Sequence, residues 1–225
     1  MHCILTEILS VNFIRKDILT MKVLLINGSP RKSGCTNRAL EEVAAELKKN
    51  NIDSEILWLG ASPMQDCIAC GKCKSTGKCI FDDIVNETAL KLDEADGVVV
   101  GSPVYYGGPN GRVCSFLDRL CYSAGSKLDG MAAACVVSCR RGGASAAYDR
   151  LNNYFGMTNC IIPASQYWNQ VHGNTPEEVE QDEEGLQTMR TLADNMSWII
   201  KSSEAAKEAG LELPVREETK RTNFI

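Results

Sequence analysis

The sequence predicts an α/β fold: a three-layer sandwich around an open sheet of five parallel strands in the order 2-1-3-4-5, with helices on both faces. Three observations carry this. Short apolar runs alternate with segments of helical periodicity from residue 22 to residue 206. The run Gly97–Gly101 is nearly continuous in valine, as expected of a strand covered on both faces. Glycine-rich turns follow the first, third and fourth apolar runs, where such a sheet collects its ligand-binding loops.

The elements follow in order. Val23–Asn27 is the first strand, and Asn37–Asn50 a helix with Leu40, Val43, Ala44 and Leu47 on one face. Ser54–Leu59 is the second strand. After a cysteine-rich insert at 62–82, Ile84, Val85, Thr88, Ala89 and Leu92 recur at helical spacing. Gly97–Gly101 is the third strand, and Val113, Phe116, Leu117, Leu120 and Cys121 mark the next helix. Ala132–Ser138 is the fourth strand, Ala144–Phe155 a helix and Cys160–Ala164 the fifth strand. Thr175-Pro176-Glu177-Glu178 reads as a helix start with a capping box. The last helix spans Leu186 to Ala206. One domain thus covers 21–206, with a polar tail at 207–225. Residues 1–20 read as an extension, because Met21 directly precedes the first convincing strand and is the expected native start.

At 225 residues and 44% hydrophobic, the chain can bury one full core. A formal charge of −5 argues against a nucleic-acid partner. No apolar run approaches the roughly 18 residues of a membrane span. Glu7, Arg15, Lys16 and Asp17 make the first twenty residues a poor secretory signal, so a cytoplasmic protein is expected.

The first strand ends in Asn27-Gly28-Ser29-Pro30-Arg31-Lys32-Ser33-Gly34-Cys35-Thr36-Asn37. Such a turn gathers free backbone N–H groups at a helix N-terminus, where the dipole favours an anion. Ser29, Ser33 and Thr36 add hydroxyls, and Arg31 adds a positive fork suited to phosphate. It is not a P-loop: five residues separate Gly28 from Gly34, and Cys35 stands where lysine is required. Nor does a Gly-x-Gly-x-x-Gly fingerprint follow the strand. A monophosphate grip remains, which points towards a mononucleotide such as FMN; an ordinary strand–turn–helix connection is the plain alternative.

The loop after the third strand, Gly101-Ser102-Pro103-Val104-Tyr105-Tyr106-Gly107-Gly108, permits close backbone approach to a flat ligand and offers two aromatic faces. After the fourth strand comes Ser138-Cys139-Arg140-Arg141-Gly142-Gly143, whose arginines could stabilise an anionic reduced flavin. Together with Phe116-Leu117-Asp118-Arg119, these motifs resemble, in order and spacing, the NADPH-dependent FMN reductase and iron–sulfur flavoprotein family over about residues 21–205.

The resemblance implies a flavodoxin-like fold, FMN held by these three loops, and a homodimer or homotetramer. Carried over by position, the candidate cofactor residues are Ser29, Arg31, Ser33, Cys35, Thr36, Asn37, Pro103, Val104, Tyr105, Tyr106, Gly107, Arg140, Arg141, Gly142 and Gly143. One departure is Cys35, where relatives commonly carry asparagine. Its backbone N–H remains available, but a side-chain amide is lost. The Asp118–Arg119 helix helps pack the dimer in relatives; by itself the pair reads as a solvated helical ion pair.

Eleven cysteines in a reducing compartment need a reason other than disulfides. Cys114, Cys121, Cys135 and Cys160 sit alone in apolar runs and read as small core residues. Cys67, Cys70, Cys73 and Cys79 differ: three thiolates at such intervals can wrap three corners of a cubane, and a fourth completes it. The compact run favours a 4Fe-4S cluster over zinc, which draws on two separated Cys-x-x-Cys knuckles. Free thiols or a redox-active pair remain open. Iron–sulfur flavoproteins carry a similar motif in this insert, while some related reductases have no cluster.

The implied chemistry is hydride transfer from NADH or NADPH to FMN, followed by electron release to a small-molecule or protein acceptor. A flavodoxin-type electron carrier that never meets a nicotinamide is the alternative. Having only His2 and His172 rules out most acid–base or nucleophile triads, and no catalytic side chain is assigned. Cys135 and Arg141 have a phosphatase-like spacing, but Cys135 lies inside an apolar run and is expected to be buried and inert.

Overall fold

A computed structural model describes residues 21–223; the expected extension 1–20 lies outside the described residues. The main sheet contains β1 (Lys22–Asn27), β2 (Asp53–Trp58), β3 (Gly97–Tyr105), β5 (Ala132–Cys139) and β6 (Gln170–His172), all parallel, in the order β2-β1-β3-β5-β6. This is the expected 2-1-3-4-5 path once the two-residue β4 (Gly108–Pro109), which pairs only with β3, is set aside.

Successive side chains of the inner strands serve opposite cores. Leu24 and Ile26 of β1, Val98 and Val100 of β3, and Ala133, Cys135 and Val137 of β5 pack with α3 (Ile84–Lys91), α4 (Gly111–Ala124) and α5 (Ala144–Met157). Val23, Leu25, Val99, Ala134 and Val136 pack on the other face with α1 (Cys35–Lys49) and α7 (Glu183–Glu208). Short helices α2 (Cys73–Thr76) and α6 (Pro176–Val179) complete the chain. Thr175 caps α6 as expected, accepting from the Glu178 N–H at 3.3 Å. Asp182 caps α7 through the Gly185 N–H, which starts that helix a turn before Leu186.

Two expectations need correction. The fifth strand is not Cys160–Ala164: within that span only Ile161 touches β5, as an isolated bridge to Ala132, and pairing resumes at Gln170–His172. Pro163 has no N–H to continue the ladder, so the chain leaves the sheet edge and rejoins it further along. The Asn169 carbonyl then accepts from the Val137 N–H at 2.9 Å, which moves β6 to the C-terminal end of β5. The third strand also outruns Gly101. It continues to Tyr105 and turns back through Tyr106 and Gly107, both left-handed (φ +49° and +78°), the conformation of a two-residue hairpin turn.

Candidate functional site

The C-terminal ends of β1, β3 and β5 open onto one cleft of about 180 Å³. Asn27, buried at the end of β1, shapes the first turn from inside. Its Oδ1 accepts from the Ser29 N–H, and its Nδ2 donates to the Lys32 carbonyl and Asn37 Oδ1, each at 3.0 Å. Ser29 Oγ accepts from the Arg31 N–H at 3.1 Å, and Trp58 Nε1 donates to the Ser29 carbonyl at 2.8 Å. The turn is therefore braced by its own hydrogen bonds.

What this turn leaves open is the start of α1. Its N-cap is Gly34, and no side chain caps it; α5, entering at the same rim, likewise has Gly143 and no side-chain cap. By contrast α3, α4, α6 and α7 are capped by Asp83, Asn110, Thr175 and Asp182. First-turn N–H groups without a cap form a ready anion site.

Asn110 locks two of the loops together. Its Nδ2 donates to the Gly28 carbonyl at 2.7 Å, its Oδ1 accepts from the Val113 N–H at 2.9 Å, and its own N–H donates to Ser102 Oγ at 3.1 Å. Gly28 is required here: a Cβ would stand 1.9 Å from Val113 Cγ2. The third loop closes in the same way. Gly143 has φ +91°, and a Cβ on it would lie 2.9 Å from Gly107 Cα and 3.1 Å from Val104 Cγ1. On the cleft floor Thr36 and Ser138 share a hydroxyl–hydroxyl bond of 2.8 Å.

Of the candidate cofactor residues, Ser29, Arg31, Cys35, Thr36, Pro103, Val104, Tyr105 and Arg140 line the cleft. The others do not. Ser33, Arg141 and Gly142 are exposed beside it, and Tyr106 is fully exposed at the hairpin tip. The Asn37 side chain is bonded to Asn27 and, at 2.6 Å, to Glu41. Gly107 and Gly143 act by letting the two loops abut. Pro30, Gly34, Ser138 and Cys139 also line the cleft, from turns the sequence marks without making them cofactor candidates; Gly173, Asn174 and the brace Trp58 were not among the candidates. Gly173 and Asn174 arrive because β6 is displaced; Pro163 was the available signal. Cys35 Sγ donates to the Gly173 carbonyl at 3.5 Å. Burial pushes its thiol above the ordinary value, against the pull of its backbone hydrogen bond and of Arg31, so it stays protonated.

A second cavity, of about 240 Å³, is lined by all four candidate metal cysteines, Cys67, Cys70, Cys73 and Cys79, with Ile68, Ile80, Phe81, Arg119 and Tyr122 among its walls. Among the described residues no group of three or more His, Cys, Asp or Glu is gathered tightly enough to hold a single metal ion. Asn86 fixes Cys79 on both sides, accepting from its N–H at 2.9 Å and donating to its carbonyl at 3.0 Å. Arg119 overturns the reading of a solvated pair with Asp118. Its side chain is 0% exposed and its carboxylate partner is Asp83, at 2.8 Å. Asp118, the preceding residue on the helix, points elsewhere and accepts from Tyr154 Oη at 2.6 Å.

The phosphatase geometry is absent. Cys135 is fully buried, its thiol is pushed far up by burial, and it donates to the Tyr148 carbonyl and Asn152 Oδ1.

Residues 21–174 match the family described as NADPH-dependent FMN reductase. An iron-sulfur flavoprotein of Methanocaldococcus jannaschii is 31% identical over 191 residues, covering 80% of this chain and 98% of that protein. Among solved structures, RosB with bound 8-demethyl-8-formylriboflavin-5'-phosphate superposes with a TM-score of 0.64 at 16% identity, covering 91% of this chain and 96% of RosB. A flavodoxin from the domain Archaea gives 0.55 at 16% identity, over 80% of this chain and 99% of that one. The fold is flavodoxin-like.

Proposed function

The chain belongs to the NADPH-dependent FMN reductase family, a family of FMN-binding oxidoreductases, and from that membership we propose an NAD(P)H-dependent FMN oxidoreductase that passes electrons to an acceptor through a 4Fe-4S cluster. The observation that carries the flavin reading is the start of α1, where Gly34, Cys35 and Thr36 line the cleft and no side chain caps the first turn. The phosphate of FMN is the anion that replaces the missing cap of α1, with Ser29, Arg31 and Thr36 beside it. The loops Pro103–Gly107 and Arg140–Gly143 beside the cleft would hold the flavin ring.

Bound FMN supplies hydride acceptance and single-electron release. The protein's part is placement and tuning. Tyr105, half exposed, gives an aromatic wall, and Arg140 puts positive charge at the cleft.

The cluster reading rests on the donor set. Four thiols border one cavity. Their compact spacing along the chain suits a cubane better than zinc, which draws on two separated knuckles. The acceptor is a small molecule or redox protein, the assembly a homodimer or homotetramer, and the setting cytoplasmic. No helix among the described residues is long and apolar enough to cross a membrane.

The test is anaerobic purification with a visible spectrum, iron and sulfide analysis, and stopped-flow mixing with NADPH. Rapid flavin bleaching with about four irons per chain supports the reading. Bound FMN that NADPH does not reduce leaves a carrier, and a Ser29/Arg31/Thr36 triple alanine variant that keeps full flavin content refutes the phosphate assignment.

A further inference from the structure

Arg119 is the one charged side chain in the buried class among the described residues, and every one of its N–H groups has a partner. Nη1 donates to Asp83 Oδ2 at 2.8 Å and the Gln65 carbonyl at 3.2 Å. Nη2 donates to Asp83 Oδ1 at 2.8 Å and the Phe81 carbonyl at 3.2 Å. The remaining donor, Nε, points at Cys79 Sγ, 3.3 Å away. The guanidinium also lies over the Phe81 ring, 5.1 Å from its centre.

Burying a guanidinium is costly unless it is fully satisfied, and a neutral thiol is a weak acceptor. A sulfur carrying negative charge, as a cluster ligand does, is the partner that suits this donor. The other three cysteines are held differently. Cys67 and Cys70 lie on a loop with left-handed Ala69 and Gly71 (φ +54° and +70°), Cys73 opens the one-turn α2, and Cys70 is exposed. Cys79, bonded by Arg119 and clamped by Asn86, is the fixed corner.

We propose that Arg119 is a positioning residue for the cysteine site: it presents the Cys79 sulfur to the cluster and, through that hydrogen bond and its charge, raises the cluster's reduction potential, with Asp83 setting how much of the charge is felt. This rests on the cluster reading above. Hydrogen bonds to ligand sulfur and local charge are established levers on such potentials. Removing Arg119 favours the oxidised, less negative cluster and lowers the potential. Neutralising Asp83 leaves the guanidinium unopposed and raises it.

The experiment is an EPR-monitored redox titration of the full-length, anaerobically purified protein as wild type, Asp83→Asn, Arg119→Lys and Arg119→Met, with iron, sulfide and FMN content measured for each. Expected are a positive shift for D83N and a negative shift for R119M. R119K, which keeps the charge and loses the fork, shifts negatively by less. Loss of iron from R119M at normal FMN content, restored in R119K, supports the holding role. Should R119M fail to fold, D83N and R119K decide the matter. Full iron with unmoved potentials, or shifts of the same sign in D83N and the Arg119 variants, overturns the proposal and leaves Arg119 a packing residue. Wild-type protein without iron overturns the cluster reading together with it.

Discussion

Asn110→Ala tests whether the phosphate turn is held by the protein or by its ligand. The side chain is 4% exposed and makes two bonds that alanine cannot replace. Loss of the N-cap to Val113 costs about 1 kcal/mol. Leaving the Gly28 carbonyl buried without its 2.7 Å partner costs about 1–3 kcal/mol more. The sum, about 2–4 kcal/mol, corresponds to a fall of about 1–2 M in urea midpoint at a slope near 2 kcal/mol/M. Asn110→Ser keeps a capping oxygen but cannot reach Gly28, so it recovers about 1 kcal/mol. Urea unfolding of FMN-free protein, followed by circular dichroism, gives the stability. FMN affinity is read separately by flavin fluorescence quenching and falls about tenfold if Gly28 shifts by a few tenths of an ångström. An N110A midpoint within 0.3 M of wild type would show that the turn does not depend on this side chain.

Three further perturbations probe other parts of the argument. Gly143→Ala forces a Cβ onto a residue at φ +91° and towards Gly107 Cα, so FMN affinity drops about tenfold with about 1–2 kcal/mol lost in stability; unchanged affinity would separate the two loops. Glu42 joins α1 to α7: burial raises its pKa, but hydrogen bonds from Arg38 (2.7 Å) and Arg190 outweigh that and hold it below the ordinary value. With the folded pKa depressed, its contribution is present above the unfolded value near 4.3 and is lost as pH falls through the folded one. Glu42→Gln therefore destabilises by about 1 kcal/mol at pH 7, and the difference closes below pH 4; a pH-independent difference contradicts the linkage. Iodoacetamide on native iron-free protein labels exposed Cys70 and spares Cys135, as read by peptide mass spectrometry, and early labelling of Cys135 would reopen the nucleophile reading.

The sheet order was legible because apolar runs and turn residues agree from Val23 to Ser138, where every inner strand is buried on both faces. The edge was not. Cys160–Ala164 is apolar enough for a strand, but an edge is decided by where N–H groups can pair, and Pro163 removes one of them. That error hid Gly173 and Asn174, which reach the cleft only because β6 pairs with the far end of β5. Arg119 was misread for a related reason. An arginine beside an aspartate on an amphipathic helix suggests an exposed pair, and nothing local announces that Asp83, thirty-six residues earlier, is its partner. The four cysteines and the phosphate turn, by contrast, are local spacings that survive without knowledge of the fold.

The two candidate sites are joined by a single element. Asn110 at the N-terminus of α4 holds the phosphate turn, and Arg119, nine residues on, holds Cys79, about 14 Å away along the helix axis. A helix packed through Val113, Phe116, Leu117 and Leu120 transmits position rather than energy, because its hydrogen-bonded backbone has one arrangement. Perturbations at its ends share no partner and lie beyond the range at which substitutions usually couple, so their effects should add. Asn110→Ser should weaken FMN binding without moving the cluster potential, and Asp83→Asn should move the potential without weakening FMN binding. In the Asn110→Ser/Asp83→Asn double variant each effect should equal its single-variant value. A marked departure would mean that α4 shifts as a body, and that flavin and cluster are tuned together rather than built side by side.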